Sequence, residues 1–90
     1  MPILISRKHN LNREDARQLV NDIARDLSDS LRISYSWNGD RLDFHRLGLN
    51  GYIDIQDHEI IVHVQKSFFV PVSDNWIREK VEEKMDEHLE

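Results

Sequence analysis

The dipeptide Asn38-Gly39 constrains the fold of this chain more than any other feature. It separates two runs of alternating apolar and polar residues within Leu31–Arg46. Asn-Gly between such runs is the strongest local signal for a β-hairpin, because a type I′ turn needs positive φ at both central residues. A two-residue loop fixes the register, and the predicted cross-strand pairs are Trp37–Asp40, Tyr35–Leu42 and Ile33–Phe44. Their apolar members share one face of a sheet, which another part of the chain must cover.

A second hairpin follows a turn-rich connection at Leu47–Gly51. With Asp57-His58 as a two-residue loop, the predicted apolar pairs are Ile55–Ile60 and Ile53–Val62, and Val64 continues the same face. Both hairpins therefore place their apolar residues on one side, which predicts a four-stranded antiparallel meander. A short β-prone run of about five residues around Ile3–Ile5 predicts a further strand at the edge of the sheet.

Two amphipathic helices are predicted. The first starts after Asn12, a good N-cap residue, and ends near Ser28 to Ser30. Its apolar residues recur at helical spacing: Ala16, Leu19, Val20, Ile23, Ala24 and Leu27. The second runs from about Ser73 to Leu89, with Ser73 as the cap and a stripe of Ile77, Val81, Met85 and Leu89.

The order of these elements, β-α-β-β-β-β-α, defines the fold class as α+β. Ninety residues are enough for one domain with one core, so we assign residues 1–90 to a single domain. The predicted architecture is an antiparallel sheet with both helices packed on one face. An alternative is a reduced helix-grip, in which the helices lie at opposite ends of a curved sheet.

Composition excludes several classes of protein. The net charge of −5 argues against nucleic acid as the main partner, since duplex binding depends on clustered Lys and Arg. The chain contains no cysteine, which removes disulfides, thiolate nucleophiles and cysteine zinc sites. No apolar run reaches the length of a membrane span, and the N-terminal charges follow their apolar run, the reverse of a secretory signal. We therefore expect a cytoplasmic protein with no membrane span.

Five histidines invite a metal or acid–base interpretation. The predicted register groups polar residues on the outer sheet face: His63 beside Tyr52, with Asp54, His45 and Asp43 nearby. Their spacing matches no metal-ligand motif, so we interpret them as ordinary surface polar residues. His9, His58 and His88 are predicted to lie at the surface. Ser67 and Ser73 have no nucleophile-elbow setting, and the prediction is a non-enzymatic protein without metal or cofactor.

Two apolar groups are candidate binding residues. Phe68, Phe69 and Val70 lie in the connection Ser67–Val72 before the last helix and can meet a hydrophobic partner. Alternatively, Phe68 or Phe69 fills the gap where that helix folds back on the sheet. Tyr35, Trp37 and Phe44 would line a pocket for an apolar ligand in the helix-grip alternative. A third hypothesis is a homodimer through an open edge strand or the outer sheet face, with Ile61, His63 and Tyr52 in the contact.

The assembled landmarks resemble a known family. They are an Ile-x-Ile start, His9-x-Leu11, Glu14, Ala16-Arg17, Trp37-x-Gly39-Asp40-x-Leu42-x-Phe44-x-Arg46, Gly48, Gly51, Pro71 and an acidic closing helix. Their order resembles the polyhydroxyalkanoic acid system family of small bacterial proteins, encoded beside genes of polyester-granule metabolism. The resemblance implies an accessory, binding or regulatory protein, with the granule surface or a granule protein as partner, and carries over no catalytic residue. One departure is the polar Gln65-Lys66-Ser67 before Phe68.

Overall fold

A computed structural model describes residues 2–89 of the chain. Its elements are β1 (Ile3–Lys8), α1 (Arg13–Leu31), β2 (Ser34–Asn38), β3 (Arg41–Arg46), β4 (Leu49–Ile55), β5 (Glu59–Lys66) and α2 (Asp74–His88). All neighbouring strands are antiparallel, and their spatial order is β1-β5-β4-β3-β2. The predicted α+β class, element order and edge position of the first strand are confirmed.

Both helices cover the same face of the sheet and pack against each other. Helix α2 also contacts β1, whereas α1 contacts β2 and β4. The side chains between the layers form one apolar cluster that includes Leu19, Ile23, Leu42, Ile53 and Met85. The architecture is therefore the layered one, and the helix-grip alternative, with its helices at opposite ends of the sheet, is not observed. No helix in residues 2–89 is long and apolar enough to cross a membrane.

The first hairpin forms, but its predicted register is wrong. Its loop is Gly39-Asp40, and the cross-strand pairs are Asn38–Arg41, Trp37–Leu42 and Tyr35–Phe44. Gly39 has φ +64° and Asn38 stays in the strand, as in a type II′ turn with glycine at the first central position. This placement lets the Gly39 carbonyl accept a hydrogen bond from Arg17 at 2.9 Å, and Asp40 pairs with Arg13. The observed pairing differs from the predicted one by two residues along the strand, so the same side chains face the core as predicted.

The second hairpin has the predicted register. Ile55 pairs with Ile60 and Ile53 pairs with Val62. The turn before it is tighter than predicted, because only Leu47 and Gly48 lie outside the strands, whereas Leu49–Gly51 belongs to β4. A glycine is needed at position 51 of β4, because the ring of Phe44, its cross-strand partner, occupies the space that a side chain would take.

Both helices start where predicted. The Asn12 side chain accepts a hydrogen bond from the Asp15 backbone N–H at 2.8 Å, and Ser73 does the same for Trp76 at 3.0 Å. Helix α1 extends to Leu31, so the prediction that a strand begins there is wrong. Arg32 ends the helix in the left-handed conformation, with φ 57° and ψ 49°.

An ion pair joins the two helices near their solvent side. Lys84 Nζ lies 3.5 Å from Asp26 on α1 and 3.4 Å from Glu87 on its own helix. The negative charge of Asp26, and then that of Glu87, raises the pKa of Lys84 above its ordinary value. Lys84 therefore stays charged at neutral pH, and the contribution of its charge to joining the helices is lost only as the pH rises through this raised pKa.

Replacing Arg32 by glycine is expected to stabilise the domain by about 1 kcal/mol. A residue with a Cβ atom is strained in the left-handed region, whereas glycine adopts it without cost. Urea unfolding followed by circular dichroism measures the gain. Arg32→Ala is the control, since it removes the same charge but keeps the strained Cβ. An equal gain in both variants would attribute the effect to charge and contradict the conformational explanation.

Candidate functional site

Three exposed apolar side chains lie on two neighbouring loops at one end of the sheet. Leu47, in the turn between β3 and β4, is 81 % exposed, and Phe68 and Phe69, in the connection between β5 and α2, are 96 % and 52 % exposed. The two rings meet edge to face, with centroids 6.1 Å apart. We call these three residues the apolar tip. Large apolar side chains exposed together are a mark of surfaces that bind other apolar surfaces.

The two loops of the apolar tip are fixed to each other. The Ser67 backbone N–H donates to the Gly48 carbonyl at 2.7 Å, and the Val70 N–H donates to the Ser67 carbonyl at 3.2 Å. The ring of Phe69 lies directly over Gly48, where a side chain would meet it. Val70 is buried, at 2 % exposure, and anchors the connection in the core. The protruding residues thus sit on a tethered backbone, which lowers the entropy cost of using them as a contact.

Cationic side chains flank the apolar tip. The Arg46 guanidinium donates to the carbonyls of Leu31 at 3.0 Å and of Leu47 at 3.1 Å, which holds it beside the turn. Lys66 Nζ lies 3.3 Å from Asp74 at the start of α2. Both residues line a shallow cleft of about 350 Å³ next to the tip. The surface here therefore combines an apolar projection with a polar border.

The predicted binding residues Phe68, Phe69 and Val70 have different environments. The alternative that Phe68 or Phe69 fills the gap beneath α2 is not observed: Phe68 is exposed and the ring of Phe69 lies over Gly48, whereas Val70 is the buried residue of the three. Leu47 joins Phe68 and Phe69 in the apolar tip, although the sequence analysis did not single it out. Its only signal was an apolar residue directly before the glycine of a turn, a position where an exposed side chain is ordinary.

The predicted pocket residues Tyr35, Trp37 and Phe44 are neighbours on β2 and β3 but have unlike surroundings. Phe44 is buried against Gly51. Trp37 is half-buried, with its indole N–H donating to Asn21 at 2.8 Å and the Arg17 guanidinium 4.0 Å above its ring. Tyr35 is 38 % exposed. Trp37 therefore fastens α1 to the edge of the sheet.

Two of the histidines predicted to lie at the surface are engaged in tertiary contacts. His9 is buried, at 6 % exposure; its Nδ1 accepts from the Leu11 N–H at 3.1 Å and its Nε2 donates to the Gln56 carbonyl at 2.9 Å. His88 is half-buried, with Nε2 3.1 Å from Asp22. His58 is exposed as predicted. All three line a cleft of about 390 Å³, but two of the imidazoles are already committed to protein contacts.

The outer sheet face carries a stacked pair at its centre. Tyr52 pairs with His63 as predicted, with ring centroids 5.1 Å apart and planes at 12°. The Arg41 guanidinium lies 4.1 Å above the Tyr52 ring and its Nε is 3.8 Å from Asp54. Within residues 2–89, no group of three or more histidine, aspartate or glutamate side chains is arranged to hold a metal ion. Stacking and cation–π contacts account for this group.

Comparison with protein families gives a match. A family model with the description "Putative polyhydroxyalkanoic acid system protein" matches residues 3–89, nearly the whole chain. No curated protein and no solved structure gives a significant match.

Proposed function

Because the chain belongs to the polyhydroxyalkanoic acid system family, we propose that it is a non-enzymatic accessory protein that binds the polyester surface of polyhydroxyalkanoate granules. The apolar tip is the binding element in this proposal. The observation that carries it is the near-complete exposure of Phe68 beside Phe69 and Leu47, on loops that are fastened to the core.

The physical chemistry of the tip suits such a surface. A polyester granule presents a broad apolar boundary without a defined pocket, so a protruding pair of rings can bury area there without shape matching. Burying one large apolar side chain contributes about 1.5–3 kcal/mol. At the border of the tip, the flanking Arg46 donates to backbone carbonyls and Lys66 pairs with Asp74. This division of roles resembles that of interfacial protein segments, which combine apolar insertion with a basic rim.

The double variant Phe68→Ser/Phe69→Ser is expected to weaken binding to protein-free polyhydroxybutyrate beads at least about tenfold. Each serine replaces an aromatic ring whose transfer out of water is favourable, so the variant loses that contribution to binding. Co-sedimentation of purified protein with the beads measures the bound fraction. Phe68 and about half of Phe69 are exposed, so circular dichroism should show an unchanged fold.

Leu4→Ser is the matched control, since Leu4 is also an exposed apolar residue but lies on β1, on the outer face of the sheet. It should bind like the unmodified chain. Equal losses in both variants would mean that general surface hydrophobicity, and not the tip, drives binding. Binding to native granules but not to bare beads would identify a granule protein as the partner and overturn the polyester assignment.

A further inference from the structure

Strand β2 presents an unprotected edge of the sheet. It is the last strand in the spatial order and pairs only with β3. Its sequence, Ser-Tyr-Ser-Trp-Asn, contains no charge and no proline, and its register with β3 is free of bulges. The opposite edge, β1, carries Arg7 and Lys8, and Arg7 pairs with Asp86 of α2 at 2.9 Å. Monomeric proteins commonly protect their edge strands by such charges, and β2 carries none of its own.

The free backbone groups of β2 belong to two residues. The two-residue loop makes Asn38 and Arg41 the hydrogen-bonded pair that closes the hairpin. Hydrogen bonding alternates along an antiparallel strand, so Ser36 and Ser34 also bond to β3. Tyr35 and Trp37 consequently direct their N–H and C=O groups toward the free edge. Tyr35 also lies on the face that the helices cover, yet remains 38 % exposed, so apolar area is left there for a further strand.

We infer that β2 pairs with β2 of a second copy of this chain, antiparallel about a twofold axis at Ser36. This register uses all five residues of the strand. It places Tyr35 opposite the partner's Trp37 as a hydrogen-bonded pair, Ser34 opposite the partner's Asn38, and the two Ser36 residues opposite each other. The aromatic pairs then cover Tyr35, and the two sheets become one sheet of ten strands.

Charge complementarity supports a second copy of the chain as the partner, paired in this register. The same symmetry brings Arg32, two residues before the strand, toward the turn that carries the partner's Asp40, at both ends of the contact. Arg32 is exposed and holds a strained left-handed backbone, and Asp40 is partly exposed beside Arg13. An axis at Tyr35 would place Arg32 opposite Asn38 and lose both ion pairs.

The test places charge at the symmetry axis. Ser36 is exposed on the outer face, so Ser36→Lys and Ser36→Glu should each leave the monomer folded. In the proposed dimer two like charges would lie directly opposite each other, and the dissociation constant should rise about tenfold. An equimolar mixture of the two variants should restore the dimer through opposite charges. Sedimentation equilibrium measures all three samples beside the unmodified chain.

Ser34→Lys is the control for added charge alone, because this position faces the partner's Asn38 and not its own copy. It should dimerise within about twofold of the unmodified chain. An unmodified chain that stays monomeric at several hundred micromolar would overturn the inference. So would a Ser36→Lys variant that dimerises normally, since the contact would then lie elsewhere, or a mixture that fails to recover the dimer.

Discussion

Gly51→Ala is expected to destabilise the domain by about 3 kcal/mol, at the upper end of the cost of overpacking. A Cβ atom at this position of β4 would meet the carbonyl oxygen of His63 on the neighbouring strand. It would also come within 2.9 Å of the Phe44 ring. The backbone oxygen cannot move without breaking the ladder between β4 and β5, so the strands must separate. Urea unfolding monitored by tryptophan fluorescence gives the free energy of unfolding.

Gly39→Ala separates this steric cost from a conformational one. Gly39 has positive φ, but a Cβ atom there would meet nothing within 4 Å. The expected loss is therefore only the backbone strain of a residue with a side chain, about 1 kcal/mol. If the two variants lost equal stability, the close approach of β4 and β5 at Gly51 would not be a determinant of the fold. A further variant, Gly51→Ala/Phe44→Leu, should recover part of the loss if the ring contributes to the clash.

His9→Ala is expected to cost about 2–3 kcal/mol. The imidazole satisfies one backbone donor, at Leu11, and one backbone acceptor, at Gln56, and it is buried between them. Alanine leaves both backbone groups without their partner, and an unsatisfied buried polar group costs about 1–3 kcal/mol. The contact joins the segment before α1 to the end of β4. Hydrogen exchange should therefore accelerate locally, at Leu11 and at the start of α1, as well as globally.

His9→Asn tests the role of each nitrogen. An asparagine side-chain oxygen can accept from the N–H two residues later, as Nδ1 does here, but it does not reach Gln56. About half of the loss should return, and the exchange protection of Leu11 should return with it. A loss as large as that of alanine would mean that packing of the ring, and not its hydrogen bonds, is what stabilises this segment.

The sequence alone determined the element order and the faces of the elements. Alternation with a period of two residues marks which side of a strand is apolar, and that information is local. The register of the second hairpin, with Ile55 opposite Ile60, was predicted correctly from a two-residue loop at Asp57-His58, which puts both apolar sets inward. Helix starts at Asn12 and Ser73 were predictable for the same reason, since a capping side chain bonds to its own neighbours.

The first hairpin shows where local information ends. Loops at Asn38-Gly39 and at Gly39-Asp40 give registers that differ by two residues and keep the same face inward, so alternation does not distinguish them. In the folded protein the loop also faces α1, where Arg13 and Arg17 reach Asp40 and the Gly39 carbonyl. That contact joins residues more than twenty positions apart, and a pattern of neighbours carries no record of it.

The candidate site divides in the same way. Three consecutive apolar residues, Phe68, Phe69 and Val70, predicted a segment that can meet an apolar surface. Which of them points outward depends on the turn that Val70 makes back to Ser67 and on the core position that receives its side chain. Leu47 joins the tip only because the turn between β3 and β4 is tied to Ser67 through Gly48. The sequence by itself determined that this connection carries large apolar side chains, because residue type is a local property. Only the tertiary structure decided which of them protrude at the apolar tip, because that depends on contacts between distant segments.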